Sequence, residues 1–257
     1  MAVIFGPAGL GPVKTSAKIL SQYNSHGLKA CEIAFTYNCY IKPPETPLIR
    51  EKAKELGIDL SIHAQYWVNL NAKEEEKREA TKKRILQCCE IGELLEAKVV
   101  VFHPGYYTDN KEDSYQTIKK GVKEIMEEIK KRGWKIKIAP ETMGKINVFG
   151  SMEEISRLAK ETGCSFCIDF AHILARDKKI DYKKIENLFP QEEWHVHFSG
   201  IVYGEKGEKH HITTTKEAWK ELLKNIPLKK NIRIINESPS MIDDSIEGLN
   251  IWKKMQF

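Results

Sequence analysis

The chain has 257 residues, of which 41% are hydrophobic and 30% are charged, and its mean hydropathy is −0.45. This composition excludes intrinsic disorder, and every apolar run is shorter than the roughly 18 to 20 residues that cross a bilayer. The formal net charge of +5 permits a polyanionic partner without indicating one. The first residues lack the charged and apolar regions of a secretion signal, so we expect a cytoplasmic protein without a membrane partner.

Eight short apolar runs recur along the chain and predict β-strands. They are rich in β-branched residues and lack internal glycine and proline, as expected of strands that are buried on both faces. The runs are Ala2–Phe5, Ala30–Phe35, Ile58–Ile62, Val99–Phe102, Ile136–Ala139, Ser165–Ile168, Trp194–Phe198 and Ile232–Ile235.

A polar segment with helical periodicity follows each run. The predicted helices are Thr15–Tyr23, Pro47–Leu56, Lys73–Leu95, Tyr115–Arg132, Met152–Thr162, Lys183–Leu188, Lys216–Asn225 and Ile242–Lys254. Eight alternating strands and helices in about 250 residues are typical of a (β/α)8 barrel. We therefore predict an α/β fold with a single TIM barrel domain over residues 1–257. A doubly wound open sheet is the competing fold, but the Gly6–Gly11 segment does not fit its G-x-G-x-x-G turn.

Residues of the types that bind metals stand at the carboxyl ends of the third to the eighth predicted strands. They are His63, His103, Glu141, Asp169, His197 and Glu237. In a closed barrel these strand ends form one rim, which is where barrel active sites lie. We therefore expect the six side chains to converge on a metal site. An ion-pair network and a polar rim that serves solubility remain as alternatives.

Three further candidate ligands lie close to this set in sequence. His172 follows Asp169 by three residues, while Glu208 and His210 lie after the seventh strand, where an extended backbone points both the same way. His211 replaces His210 if the register of this segment differs. Imidazole and carboxylate groups suit Zn²⁺ and also Mn²⁺.

Other histidine and cysteine residues are assigned supporting roles. His195 shares a strand face with His197, so it is predicted either to support the ligands from a deeper layer or to pack in the core. The six cysteines are too few for a disulfide scaffold, and we expect them to be reduced and packed in the interior.

The motifs resemble those of the endonuclease IV family, which are metal-dependent apurinic/apyrimidinic endonucleases built on a xylose-isomerase-like barrel. The matching stretches are Ser61–Leu70, Val101–Gly105, Pro140–Gly144, Cys167–His172, His195–Ser199 and Ile234–Glu237. They run in family order from the third strand to the eighth and so cover most of the chain. The Cys-Ile-Asp-x-x-His and His-Pro-Gly elements are the most specific.

The resemblance implies three zinc ions, with Mn²⁺ as an alternative at one position. The implied ligand groups are His63, His103 and Glu141 for the first ion, Glu141, Asp169, His197 and Glu237 for the second, and His172, Glu208 and His210 for the third. Glu141 would bridge the first two ions, and it is the expected catalytic residue.

The resemblance also implies the substrate, which is duplex DNA with abasic sites, and the reaction, which is hydrolysis of the phosphodiester 5′ to the lesion during base excision repair. We expect the protein to be a monomer. Tyr66 matches the family's DNA-penetrating tyrosine. Asn38 and Tyr40 occupy the family's DNA-contacting stretch, where Tyr40 replaces an inserting arginine. Glu208 stands where the family usually has aspartate.

Two other functions stay open. Sugar isomerases and epimerases of the same superfamily require one metal site, for which Glu141, Asp169, His197 and Glu237 suffice. The surplus of further histidine and carboxylate ligands favours the nuclease. A non-catalytic protein that binds damaged DNA would keep the ligands for structure and would not cut the strand.

Overall fold

The computed structural model describes residues 2–256, and its strands follow the predicted order. Ten strands lie within this range: β1 (Val3–Pro7), β2 (Ala30–Ala34), β3 (Asp59–His63), β4 (Val99–Phe102), β5 (Lys137–Pro140), β6 (Cys167–Asp169), β7 (Glu193–Phe198), β8 (Gly200–Gly204), β9 (Gly207–Ile212) and β10 (Asn231–Asn236). All but β8 and β9 belong to the barrel wall, and these two form a separate antiparallel hairpin.

The helices cover the outside of the barrel. Within residues 2–256 there are nine α-helices: α1 (Ser16–Ser25), α2 (Thr46–Leu56), α3 (Glu75–Leu94), α4 (Lys111–Lys131), α5 (Met152–Thr162), α6 (Phe170–Asp177), α7 (Tyr182–Leu188), α8 (Lys216–Asn225) and α9 (Met241–Met255). In the described part of the chain, each helix is too short or too polar to cross a membrane.

The barrel closes from two four-stranded parallel sheets, which have the orders β1-β10-β7-β6 and β2-β3-β4-β5. At one seam the Lys29 amide donates to the Phe5 carbonyl at 3.0 Å, and at the other the Thr142 amide donates to the Cys167 carbonyl at 3.1 Å. Gly6 permits the first seam, since an added Cβ would lie 1.7 Å from the Ala30 carbonyl oxygen. The predicted (β/α)8 barrel is confirmed.

Side chains on each strand alternate between the helical layer and the barrel interior. On β7, Trp194, Val196 and Phe198 belong to the main hydrophobic core between strands and helices. The intervening His195 and His197 therefore project into the interior. The same two-residue period delivers polar side chains to the interior from other strands.

The structure contains elements that the sequence reasoning did not predict. Helix α6 begins directly after β6, and the Asp169 carboxylate caps it by accepting a hydrogen bond from the His172 amide at 2.7 Å. The β8–β9 hairpin replaces a predicted loop. Helix α4 begins at Lys111, where Asn110 caps it, and not at Tyr115.

The cysteines are packing residues, as their number suggested. Within residues 2–256 all six are free thiols, and five are buried. The partly exposed Cys39 lies 3.5 Å from Cys88, measured between the sulfur atoms.

Candidate metal centre

A cavity of about 330 Å³ opens at the carboxyl ends of the barrel strands. Its wall includes many of the predicted ligands, namely His63, His103, His172, Glu208 and Glu237, together with His211. Residues separated by more than 170 positions in sequence thus face one chamber, as expected for the catalytic rim of a barrel.

The Glu141 carboxylate lies at the centre of this cluster and is completely buried. Its Oε2 atom lies 3.2 Å from Nε2 of both His63 and His103. Its Oε1 atom lies 3.2 Å from His172 Nδ1 and 3.3 Å from His197 Nδ1. One carboxylate therefore contacts four imidazoles, as expected of a group that is shared between neighbouring cations.

The structure brings together the ligand groups expected for the first two ions. The donor atoms of His63, His103 and Glu141 lie within 4.8 Å of one another. The same limit holds for Glu141, Asp169, His197 and Glu237. Imidazole nitrogen and carboxylate oxygen in such compact sets are typical zinc donors.

The third group differs from the prediction by one residue. The pairing of the two hairpin strands shifts register between Val202 and Tyr203. Val202 pairs with His210, whereas Tyr203 pairs with Glu208. The resulting β-bulge places one extra residue in β9 and changes which side chains share a face. Glu208 and His211 line the cavity, whereas His210 is exposed to solvent. The structure therefore does not bring His210 into the group and places His211 there.

The hairpin residues meet α6 at the mouth of the cavity. Glu208 Oε2 lies 3.4 Å from His172 Nε2, and the donor atoms of Asp169, His172 and His211 lie within 4.8 Å of one another. Ser199 Oγ lies 2.6 Å from His211 Nδ1 and holds that ring in place. A third cluster of donors thus adjoins the two that share Glu141.

Burial and proximity shift the protonation equilibria of the cluster. Burial opposes ionisation of Glu141, but the neighbouring imidazoles hold the pKa of its carboxyl well below the ordinary value. Burial raises the pKa of Asp169 to about 6. Burial disfavours the charged form of His63, yet the Glu141 carboxylate raises the pKa of that ring to about 9. The Glu141 carboxylate therefore favours the charged form of the His63 ring that it contacts.

The donor set fits divalent cations. Among residues 2–256, the Asp169 Oδ2 atom is buried without a hydrogen-bond donor, with His172 Nδ1 at 3.3 Å. Asp169 belongs to two of the donor groups, beside His197 and Glu237 in one and beside His172 and His211 in the other. A buried carboxylate oxygen requires a hydrogen bond or a cation, so this atom would be a suitable ligand for a metal ion.

Glu32 is a buried residue of this region that the sequence reasoning missed. Its carboxylate lies in the interior below the cluster, within 2.9 Å of both His195 Nε2 and His197 Nε2. His195 therefore occupies the deeper supporting layer that was one of its two predicted positions. The available signal was a carboxylate between Ala30 and Ala34 on the inward face of an otherwise apolar strand.

Of the predicted DNA-contacting residues, Tyr66 lies at the cavity mouth. Its side chain is 62% exposed, and its ring stacks beside His63 and meets His103 edge-on at 5.3 Å between ring centres. Asn38 and Tyr40 lie on the loop after β2 outside the cavity lining. Asn38 is exposed, and Tyr40 packs edge-on against Phe35.

The fold and this cluster define an α/β barrel with a histidine and carboxylate centre of the kind that binds metals. Residues 20–250 match the family described as xylose isomerase-like TIM barrel, and the chain belongs to that family. Uncharacterized protein MJ0133 of Methanocaldococcus jannaschii is 33% identical over an alignment of 273 positions, gaps included, with 98% of each chain covered. Probable endonuclease 4 of Mycobacterium leprae is 25% identical over 139 residues, which cover 51% of this chain and 53% of that protein.

Solved structures with different activities share the fold. SacUVDE superposes with a TM-score of 0.74 at 15% identity, covering 95% of this chain and 88% of that one. Endonuclease IV from Thermus thermophilus has a TM-score of 0.72 at 20% identity, with 99% and 97% covered. A D-tagatose 3-epimerase-like protein has a TM-score of 0.69 at 22% identity, with both chains covered completely. At these identities the likeness shows the fold alone.

Proposed function

We propose that the protein is a metal-dependent apurinic/apyrimidinic endonuclease. It would hydrolyse the phosphodiester 5′ to abasic sites in duplex DNA, as a single-domain monomer of the cytoplasm that takes part in base excision repair. Three Zn²⁺ ions are the proposed cofactors, and Mn²⁺ would suit one position.

The observation that carries this proposal is the third donor cluster. A one-metal sugar enzyme needs the group of Glu141, Asp169, His197 and Glu237. The protein adds His63 and His103 on one side of Glu141, and it adds His172, Glu208 and His211 on the other. A polynuclear site suits phosphodiester hydrolysis because charge develops on both the attacking and the leaving oxygen.

The roles of the side chains follow from where their donor atoms lie. Divalent cations held here would supply Lewis acidity, which activates water and neutralises charge on a phosphate. Glu141 directs one oxygen toward His63 and His103 and the other toward His172 and His197, so it spaces two cation positions. The hairpin carries Glu208 to the cavity mouth, where the third group would meet the leaving 3′-oxygen.

Exposed aromatic side chains around the cavity suit a damaged nucleic acid. Tyr66 is 62% exposed, Tyr106 is 54% exposed, and both line the mouth. The exposed rings of Tyr37 and Trp67 lie 6.2 Å apart on the adjacent loops. An abasic nucleotide has lost its stacking, so its extrusion into the cavity costs less than that of a normal base. Aromatic rings are able to fill the vacated stack.

The test is a nicking assay on a synthetic duplex that carries one abasic site. Zinc-loaded protein is expected to cut 5′ to the site and leave a 3′-hydroxyl end, and a chelator is expected to abolish cutting. Glu141→Gln should reduce turnover by about 1,000-fold or more, because the amide cannot neutralise two cations. Turnover near that of the wild type in Glu141→Gln, or an uncut duplex with the zinc-loaded wild type, would refute the proposal.

A second candidate is a sugar isomerase or epimerase with one metal. The compact group of Glu141, Asp169, His197 and Glu237 favours it, as does a cavity of about 330 Å³, which matches a small molecule in size. The metal content separates the candidates, since this enzyme would bind one ion per chain. Tight binding of abasic duplex without scission would instead indicate a damage-binding protein.

A further inference from the structure

The interior of the barrel holds a polar layer directly beneath the candidate ligands. This layer includes Glu32, Ser61 and His195. Each precedes by two positions in sequence a residue at the floor or wall of the cavity, so its side chain projects into the barrel one layer deeper. Glu32 pairs with Ser61 in the register of β2 and β3. All three are buried, and Glu32 is completely so.

The Glu32 carboxylate has three polar neighbours. Its Oε2 atom accepts a hydrogen bond from Ser61 Oγ at 2.9 Å and lies 2.9 Å from His195 Nε2. Its Oε1 atom lies 2.9 Å from His197 Nε2, although the ring N–H is not aligned for a hydrogen bond to it. Glu32 and His197 belong to different four-stranded sheets, so this contact crosses the barrel interior.

The other nitrogen of His197 faces the candidate metal centre. His197 Nδ1 lies 3.3 Å from Glu141 Oε1 and 3.4 Å from Glu237 Oε1. A neutral imidazole carries its proton on one nitrogen and a lone pair on the other. Nε2 and Glu32 Oε1 are close enough that a rotation of the ring would align Nε2–H with that oxygen, and this would leave the lone pair on Nδ1, where a cation would need it.

We propose that Glu32 is a positioning residue that fixes His197 as the Nε2-protonated tautomer and directs its Nδ1 toward the metal. Outer carboxylates that hold a metal-binding histidine in this way orient the ring and increase its basicity. The inference rests on the proposed metal centre and is independent of the substrate.

The cost of burying Glu32 supports a functional role. A carboxylate in a barrel interior loses its hydration, and paired buried charges are often no more stabilising than apolar side chains of the same size. The same layer contains Val101 and Ala139, so apolar residues are accommodated there. A charge at position 32 is therefore explained better by what it does to His197 than by stability.

The tautomer of His197 can be measured directly in the wild-type protein by NMR. Long-range ¹H–¹⁵N spectra of the zinc-loaded protein, labelled at histidine and assigned by comparison with His195→Gln, should show a protonated Nε2 and a metal-shifted Nδ1 for His197. A protonated Nδ1 on His197 would overturn the proposal, whether or not any variant folds.

The matched variants are Glu32→Gln, whose amide can donate a hydrogen bond to His197 Nε2, and Ser61→Ala, which removes only the hydroxyl on the other oxygen of Glu32. We expect Glu32→Gln to weaken Zn²⁺ binding by about 10- to 100-fold in a chelator competition. Ser61→Ala should bind Zn²⁺ within about 3-fold of the wild type, because the contact between Oε1 and His197 is retained.

The thermal unfolding of the metal-free variants separates positioning from packing. Metal-free Glu32→Gln should unfold within about 5 °C of the wild type or above it, since the substitution removes a buried charge. Folded Glu32→Gln that binds Zn²⁺ with wild-type affinity would refute this inference. Intact zinc binding by the wild type without cutting of abasic DNA would refute the proposed function and leave this inference standing.

Discussion

His172 and Glu208 face each other across the cavity mouth, with 3.4 Å between Nε2 and Oε2. One belongs to the helix that follows β6 and the other to the β8–β9 hairpin, so their contact joins the hairpin to the barrel. This junction is where the protein has more donor groups than a one-metal barrel enzyme requires.

The hairpin register predicts different outcomes for two adjacent histidines. His211→Ala is expected to remove one of three zinc ions per chain and to lower abasic-site cleavage by about 100-fold, because a donor is lost. His210→Ala is the matched control and should retain both properties, since His210 faces solvent. Metal analysis of the dialysed proteins and the nicking assay provide the readouts. The reverse pattern would show that β9 adopts another register in the metal-loaded protein.

Gly144 provides the space in which His172 and Glu208 meet. A Cβ at position 144 would lie 2.8 Å from Glu208 Cβ and 3.0 Å from His172 Cδ2. Gly144→Ala is therefore expected to displace the hairpin and to weaken binding of the third zinc ion by about 10-fold or more.

The control for this substitution is Gly204→Ala on the same hairpin. Its new Cβ would meet only the flexible end of Lys209, at 3.2 Å, so zinc binding should not change. Isothermal titration of both variants with Zn²⁺ measures the effect. Equal zinc affinity in the two variants would contradict the assignment of the third group.

Tyr66 is expected to contribute to substrate binding. Tyr66→Ala should raise the KM for an abasic duplex by about 10-fold, since aromatic stacking contributes about 1–3 kcal/mol per base. Its metal content should equal that of the wild type. Leu228→Ala removes an equally exposed apolar side chain (58%) just before β10, at the opposite end of the barrel, and should not change KM. A KM for Tyr66→Ala equal to that of Leu228→Ala would exclude the stacking role.

The outer core depends on Trp219 of α8. Its side chain is fully buried, and its ring meets those of Phe5 and Phe198 at 5.9 and 4.9 Å between centroids. Trp219→Ala should lower the free energy of unfolding by about 3–5 kcal/mol, because it leaves a large cavity. Trp67→Ala, at a ring that is 49% exposed, should cost less than about 1 kcal/mol. Urea unfolding of the metal-free proteins compares them, and equal losses would contradict the packing described.

The barrel and most of the cluster could be predicted from sequence because both depend on local patterns. Apolar runs mark the strands, and the residue that ends each strand shares one rim with the others. His63, Glu141 and Asp169 follow from this pattern, and the structure places them in two donor groups that share Glu141.

Other features depend on contacts between distant segments. The choice of His211 over His210 follows from a bulge in the pairing of β8 with β9, which the spacing of residues does not encode. The role of Glu32 depends on which interior side chains meet across the barrel. Helix α6 was missed because its apolar start continues directly from β6.

Abasic-site cleavage and sugar epimerisation are separated by assaying one zinc-loaded preparation against two substrates, an abasic duplex and a ketose. We expect incision of the duplex 5′ to the lesion, a 3′-hydroxyl product and an unchanged sugar. An intact duplex together with epimerised sugar would contradict this expectation.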